Sequence, residues 1–153
     1  MKKYIFCLFM VVLLLCGCVD EPASPPGPPA VIYWTVEELK AAYPDRLFPS
    51  VTGGTFTDAN PTNGKPYLSI RYELSTGDAF VFKLGHDFDG ELAVDTPVAQ
   101  TEYFTFYQLP KSADDVDSVT PYLLVTPDEE YIFLRLFDQT AAMEDYAQLI
   151  TFE

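Results

Sequence analysis

From residue 53 onward, apolar and polar side chains alternate with a period of two, and turn residues interrupt the alternation every few positions. Successive side chains of a strand point to opposite faces, so this pattern demands sheets with one face turned to a core. It predicts strands at 53–58, 66–74, 78–84, 91–95, 101–109, 119–126, 130–137 and 146–152. The third opens after Ser75-Thr76-Gly77 and the seventh after Pro127-Asp128-Glu129, both turn sequences. Short helical turns are expected at 111–117 and 139–145. No repeat relates these segments, and their short connections favour antiparallel pairing over the parallel sheets of nucleotide-binding enzymes. The expected fold is mainly β: an antiparallel β-sandwich or small barrel of about eight strands.

One helix precedes them. Thr35-Val36-Glu37-Glu38 reads as a capping box, with a hydroxyl for a free amide and a glutamate three residues on to return the bond. Leu39, Ala42 and Tyr43 can face the core, and Pro44 stops the helix.

Within the strands the two faces separate clearly. Leu68, Ile70, Tyr72 and Leu74 oppose Tyr67, Ser69, Arg71 and Glu73; Phe80, Phe82 and Leu84 oppose Ala79, Val81 and Lys83; Ile132, Leu134 and Leu136 oppose Tyr131, Phe133, Arg135 and Phe137. The first member of each set is core. The second set is too aromatic for ordinary surface, and Tyr67, Arg71, Tyr103, Tyr107, Tyr131, Phe133 and Arg135 form a candidate binding face if their strands are neighbours. Tyrosine and arginine bury large areas while keeping polar tips, and flat rings stack on sugars. The competing expectation makes these residues the inside of a second core layer, or covers them with the helix at 35–43.

The chain opens with Lys2 and Lys3, a thirteen-residue apolar run from Tyr4 to Cys16, then Gly17 and Cys18. That run is shorter than the roughly 20 residues needed to span a bilayer, and no basic stop-transfer cluster follows it. It reads as an export signal occupying 1–17. The ending Leu15-Cys16-Gly17-Cys18 resembles the lipobox of bacterial lipoproteins, departing from it mildly at Cys16, where alanine or serine is commoner. The resemblance covers residues 1–18 only. It implies that the Cys18 thiol is acylated and becomes the mature amino terminus, anchored in a membrane by its lipids (palmitate among them). Val19, where an aspartate would signal inner-membrane retention, implies the outer membrane if the cell is Gram-negative, and Asp20-Glu21 faintly match surface-export signals.

Such processing removes 17 residues including Lys2 and Lys3, leaving 136 residues with 7 basic and 23 acidic groups, a net charge of −16. It also removes Cys7 and Cys16, so no thiol would remain for a disulfide, a metal site or a nucleophile. Residues 18–30 then form a linker with Pro22, Pro25, Pro26, Pro28 and Pro29, which favour extended polyproline II and a semi-rigid stalk. A single β-rich domain is expected over 31–153.

Composition excludes several functions. Even the unprocessed charge of −14 repels nucleic acid and anionic headgroups. A lone histidine, His86, rules out sites built on two imidazoles. No GxSxG elbow, Walker sequence or strand-borne GxGxxG occurs. Asp87, Asp89 and Glu91 around Gly90 supply oxygen ligands of the kind calcium takes, the one cofactor the sequence suggests. An EF-hand counted from Asp87 fails, with Leu92 at the glycine position and Val98 at the bidentate glutamate, so an acidic hairpin turn is the competing expectation. Asp114, Asp115 and Asp117, and Asp128, Glu129 and Glu130, read as solvated loops. Together these features indicate a lipid-anchored, non-catalytic envelope protein that binds glycan or protein from a stalk; a structural subunit of an envelope assembly and a small hydrolase are the alternatives.

Overall fold

A computed structural model describes residues 31–61, 67–85, 96–112 and 116–153. Helix α1 (Val36–Ala42) is followed by strands β1 (Pro49–Val51), β2 (Thr55–Pro61), β3 (Leu68–Glu73), β4 (Ala79–Leu84), β5 (Ala99–Gln100), β6 (Thr105–Gln108), β7 (Val119–Val125) and β8 (Tyr131–Phe137), then by helix α2 (Met143–Ala147) and strand β9 (Ile150–Phe152). Seven strands make one antiparallel sheet in the order β2-β3-β4-β8-β7-β6-β5, and β1 and β9 make a second, two-stranded one. The large sheet does not close into a barrel, so the architecture is sandwich-like.

The core follows the alternation. Ile70, Phe82, Leu134 and Tyr122 stand in register across β3, β4, β8 and β7, and Leu68, Leu84, Ile132, Leu124 and Phe106 form a parallel row that reaches β6. All nine are buried. Over this face pack Leu39 of α1, Phe48 and Val51 from β1 and its approach, Met143, Tyr146 and Ala147 of α2, and Ile150 of β9, closing one apolar cluster. Every buried apolar side chain that the helices and the small sheet contribute therefore lies on the same side of the large sheet.

Local chemistry explains the connections. In the β3–β4 turn Gly77 adopts φ +95°, a left-handed conformation costly for other residues, and Leu74 N–H bonds to Asp78 C=O at 2.9 Å. In the β7–β8 turn Thr126 Oγ1 accepts a bond from Glu130 N–H at 3.0 Å. The capping box of α1 forms slightly displaced: Thr35 Oγ1 accepts from Glu38 N–H at 3.1 Å, while the Glu38 carboxylate reaches back to Trp34 N–H at 2.8 Å. Leu39 is buried and Tyr43 half-buried, as expected, but Ala42 is exposed.

Several expectations need correction. The strand expected at 146–152 is α2 followed by the short β9, because Met143, Tyr146, Ala147 and Ile150 recur at helical spacing with Glu144 and Asp145 in the first turn. The second helix thus begins later than the turn expected at 139–145. The strand expected at 101–109 is shortened to β6, since Thr101 Oγ1 accepts bonds from Tyr103 N–H (3.3 Å) and Phe104 N–H (3.2 Å) and folds 101–104 into a turn. β2 is shifted toward Pro61, which an edge strand accommodates, and carries a bulge between Phe56 and Asp58. β1 was not expected; three residues opening on Pro49 carry no alternation to read. Around 111–117 the described residues contain no helix, and the strand expected at 91–95 lies outside the described residues.

Candidate binding face

The second side of the large sheet carries most of the residues singled out from the sequence. Ser69, Lys83, Phe133, Leu123 and Tyr107 stand in one register row across β3, β4, β8, β7 and β6, and Arg71, Val81, Arg135 and Pro121 stand in the next. Tyr67 directly precedes β3, and Tyr131 opens β8 opposite Val125. Six of the seven candidates therefore share this side. Neither α1 nor the small sheet packs on it, which sets aside the expectation that the helix at 35–43 covers these six, while Ala79, Val119, Pro121 and Leu123 on the same side are buried. Arg71 and Tyr131 are exposed, Tyr131 at 42%, and Tyr67, Tyr107, Phe133 and Arg135 are half-buried. Leu123, in register between Tyr107 and Phe133, is buried.

Tyr103 does not join them. It sits in the β5–β6 turn, packs against the main core cluster, and lines a groove with Ala147 and Ile150. There a hydrogen bond to the Glu102 carboxylate, reinforced by that group's charge, pushes its phenol above the usual 10.0.

The geometry of the face is set by cations resting on rings. Lys83 Nζ lies 5.1 Å from the centroid of the Tyr67 ring and 5.7 Å from that of Phe133, and the Arg135 guanidinium lies 5.9 Å from the same Phe133 ring. These are cation–π distances, worth about 0.5–2 kcal/mol each depending on exposure. Arg71 pairs with Glu73 along its own strand at 2.7 Å, both side chains well exposed. Alternation alone places Lys83 on this side but does not mark it as a site residue. Its signal was a lone cation between the apolar members of β4, and its importance needs the strand order β3-β4-β8 to be seen.

Other candidates stand apart. Asp128, Glu129 and Glu130 occupy the exposed β7–β8 turn, with Glu129 at φ +64°. Glu129 and Glu130 line a groove of about 540 Å³ with Asp45, Arg46, Leu47, Gly85 and Tyr131, at the end of the sheet. Asp117 is exposed. Among the described residues no three of histidine, cysteine, aspartate and glutamate are grouped to hold a metal ion. His86, Asp87, Asp89, Glu91, Asp114, Asp115 and Cys18 lie outside the described residues. Comparison with protein-family models, curated proteins and solved structures gives no match, so the functional reading rests on the residues themselves.

Proposed function

We propose that this chain is a lipid-anchored envelope protein that binds an extended partner, glycan or protein, on the second side of its seven-stranded sheet, without catalysis. The observation that carries this reading is the sharing of one sheet side by Tyr67, Arg71, Tyr107, Tyr131, Phe133 and Arg135, away from the side on which the helices and small sheet pack. A broad surface of rings with polar tips suits a partner that lies flat across several strands. The Cys18 anchor and the proline-rich stalk would hold that surface off the membrane, and the lipid must do the holding, because a charge of −16 after processing is repelled by anionic headgroups.

Two experiments test the two halves. Cys18→Ser is expected to abolish incorporation of labelled palmitate in a bacterial host; labelling that survives the substitution contradicts the anchor. For the face, the full chain in detergent micelles is expected to be retarded in native gels cast with bacterial envelope polysaccharides. The double variant Arg71→Ala, Tyr131→Ala should lose most of that retardation while keeping its far-UV circular dichroism, since both side chains are exposed and the Arg71–Glu73 pair is worth about 0–1 kcal/mol. Equal retardation of wild type and variant contradicts the face.

A further inference from the structure

At the β5 edge of the large sheet, where the β5–β6 turn meets α2 and β9, we infer a second binding site, a groove that takes a neutral, hydroxyl-rich sugar. It stands apart from the sheet face. Its volume is about 430 Å³, inside the roughly 300–1,000 Å³ of small-ligand clefts. Tyr103, which the sequence marks for binding and the sheet face leaves aside, lines it.

The groove is built on fixed parts. Ala147, ending α2, and Ile150, opening β9, are buried members of the main core cluster and form its apolar floor. On the wall opposite, Thr101 Oγ1 accepts from Tyr103 N–H and Phe104 N–H, which uses both its lone pairs and leaves its own O–H to donate to a ligand. The Tyr103 phenol donates to the Glu102 carboxylate, while its half-buried ring rests on the core cluster and lines the groove. The ring is therefore held at both ends as a platform. Glu102, itself exposed, keeps further lone pairs for a ligand after taking that bond.

The lining selects a ligand class by exclusion. Among the described residues no lysine, arginine or histidine lines the groove, and Glu102, with the charge of Glu153 close to Tyr103, repels an anion. An apolar ligand would desolvate the side-chain amides of Gln100 and Gln148 and return no hydrogen bond to them. A small cation would use the carboxylate alone, and one ring makes no aromatic cage. Sugar hydroxyls both donate and accept, which suits two amides, the hydroxyls of Thr101 and Thr151, and a carboxylate that accepts from adjacent O–H groups. The Tyr103 ring supplies the flat surface on which the C–H face of a sugar stacks.

The test follows amide shifts of the isotopically labelled full chain in zwitterionic detergent micelles, which present no sugar headgroup. The probes are maltohexaose, cellohexaose, mannohexaose and chitohexaose, then polygalacturonate and choline. At least one neutral hexasaccharide is expected to bind and to move residues 100–103 and 148–151 together. Tyr103→Ala should weaken it about tenfold and the exposed Gln148→Ala about fivefold, so that a folding defect in the first leaves the second to decide. Tyr103→Phe, which keeps the ring, should stay close to wild type. Lys40→Gln, on the last turn of α1, and sodium chloride at about 0.5 M should leave the affinity unchanged, because the ligand carries no charge. Preferential binding of polygalacturonate that weakens with salt overturns the neutral ligand, and choline alone moving the groove overturns it in favour of a cation. Shifts confined to β3, β4 and β8 overturn the groove and leave the sheet face standing. Wild-type affinity in both Tyr103→Ala and Gln148→Ala overturns it, as does binding of none of the hexasaccharides.

Discussion

Replacing Phe82 with alanine is expected to destabilise the protein by about 3–5 kcal/mol, a large part of the roughly 5–15 kcal/mol that holds a domain of this size together. Phe82 has no solvent exposure and sits at the middle of β4, in register with Ile70 on one side and Leu134 on the other. Its ring lies 6.4 Å from that of Phe80, nearly parallel, and meets Tyr72 edge-on at 6.3 Å. Neighbours locked into two flanking strands cannot collapse into the space the ring leaves, so the cavity cost adds to the lost burial. The adjacent residue supplies the contrast. Val81 points to the other side of the sheet and is only half-buried, so Val81→Ala should cost about 1 kcal/mol or less. Urea unfolding of both variants followed by circular dichroism separates them, and equal losses would contradict the half-buried position of Val81.

Asp78→Ala is expected to cost about 3 kcal/mol for a different reason. Asp78 is 1% exposed at the β3–β4 turn, and its carboxylate accepts bonds from the Thr76 hydroxyl and from Thr140 N–H (3.2 Å) and Oγ1–H (3.1 Å) in the loop between β8 and α2. Tyr146 of α2 completes the network, its hydroxyl accepting from Thr140 N–H at 3.0 Å and Ala141 N–H at 3.1 Å. One buried carboxylate therefore ties the β3–β4 hairpin to the helix that covers the core. Burial pushes its pKa up, but the bonds from Thr76, Tyr146 and Thr140 outweigh that and hold it below the usual 3.8. Because the folded state takes the proton less readily than the unfolded chain, this stabilisation is present above about pH 3.8 and is lost as pH falls through the lower folded value. The difference in stability between wild type and Asp78→Asn should accordingly be constant from neutral pH down to about 4 and shrink below it. Comparing the two proteins at each pH removes the other carboxylates, whose mutual repulsion changes alike in both. A difference that stays constant down to pH 2 would contradict the network.

Which parts of this were legible in the sequence follows from what alternation can and cannot encode. Leu68, Ile70 and Tyr72, Phe80, Phe82 and Leu84, and Ile132, Leu134 and Leu136 were assigned to the core from period two alone, and all are buried. Each of those strands is long enough for three apolar repeats, and its turn carries its own signal in Gly77 or in Thr126–Glu130. Alternation failed where the segment was short or the period ambiguous. Tyr146, Ala147 and Ile150 satisfy a helical repeat as well as a broken strand, and Thr101 makes a turn through a side-chain oxygen that hydropathy does not register. The same turn separates Tyr103 from Tyr107, which an unbroken strand would have put on one side. Alternation also assigns a residue to a side without saying which strand lies next to it. Lys83 meets Phe133 only because β4 pairs with β8 across a long stretch of chain, so the cationic centre of the face was hidden while its aromatic rim was visible.

Where a ligand touches the sheet decides whether the second side is a binding face. Backbone amide shifts of the isotopically labelled full chain in detergent micelles, followed while bacterial envelope polysaccharide is added, report that position residue by residue. Changes concentrated at Ser69, Arg71, Val81, Lys83, Phe133 and Arg135 are the predicted result. Changes centred on α1 or on the groove between Asp45 and Phe152, with β3, β4 and β8 unmoved, would contradict it.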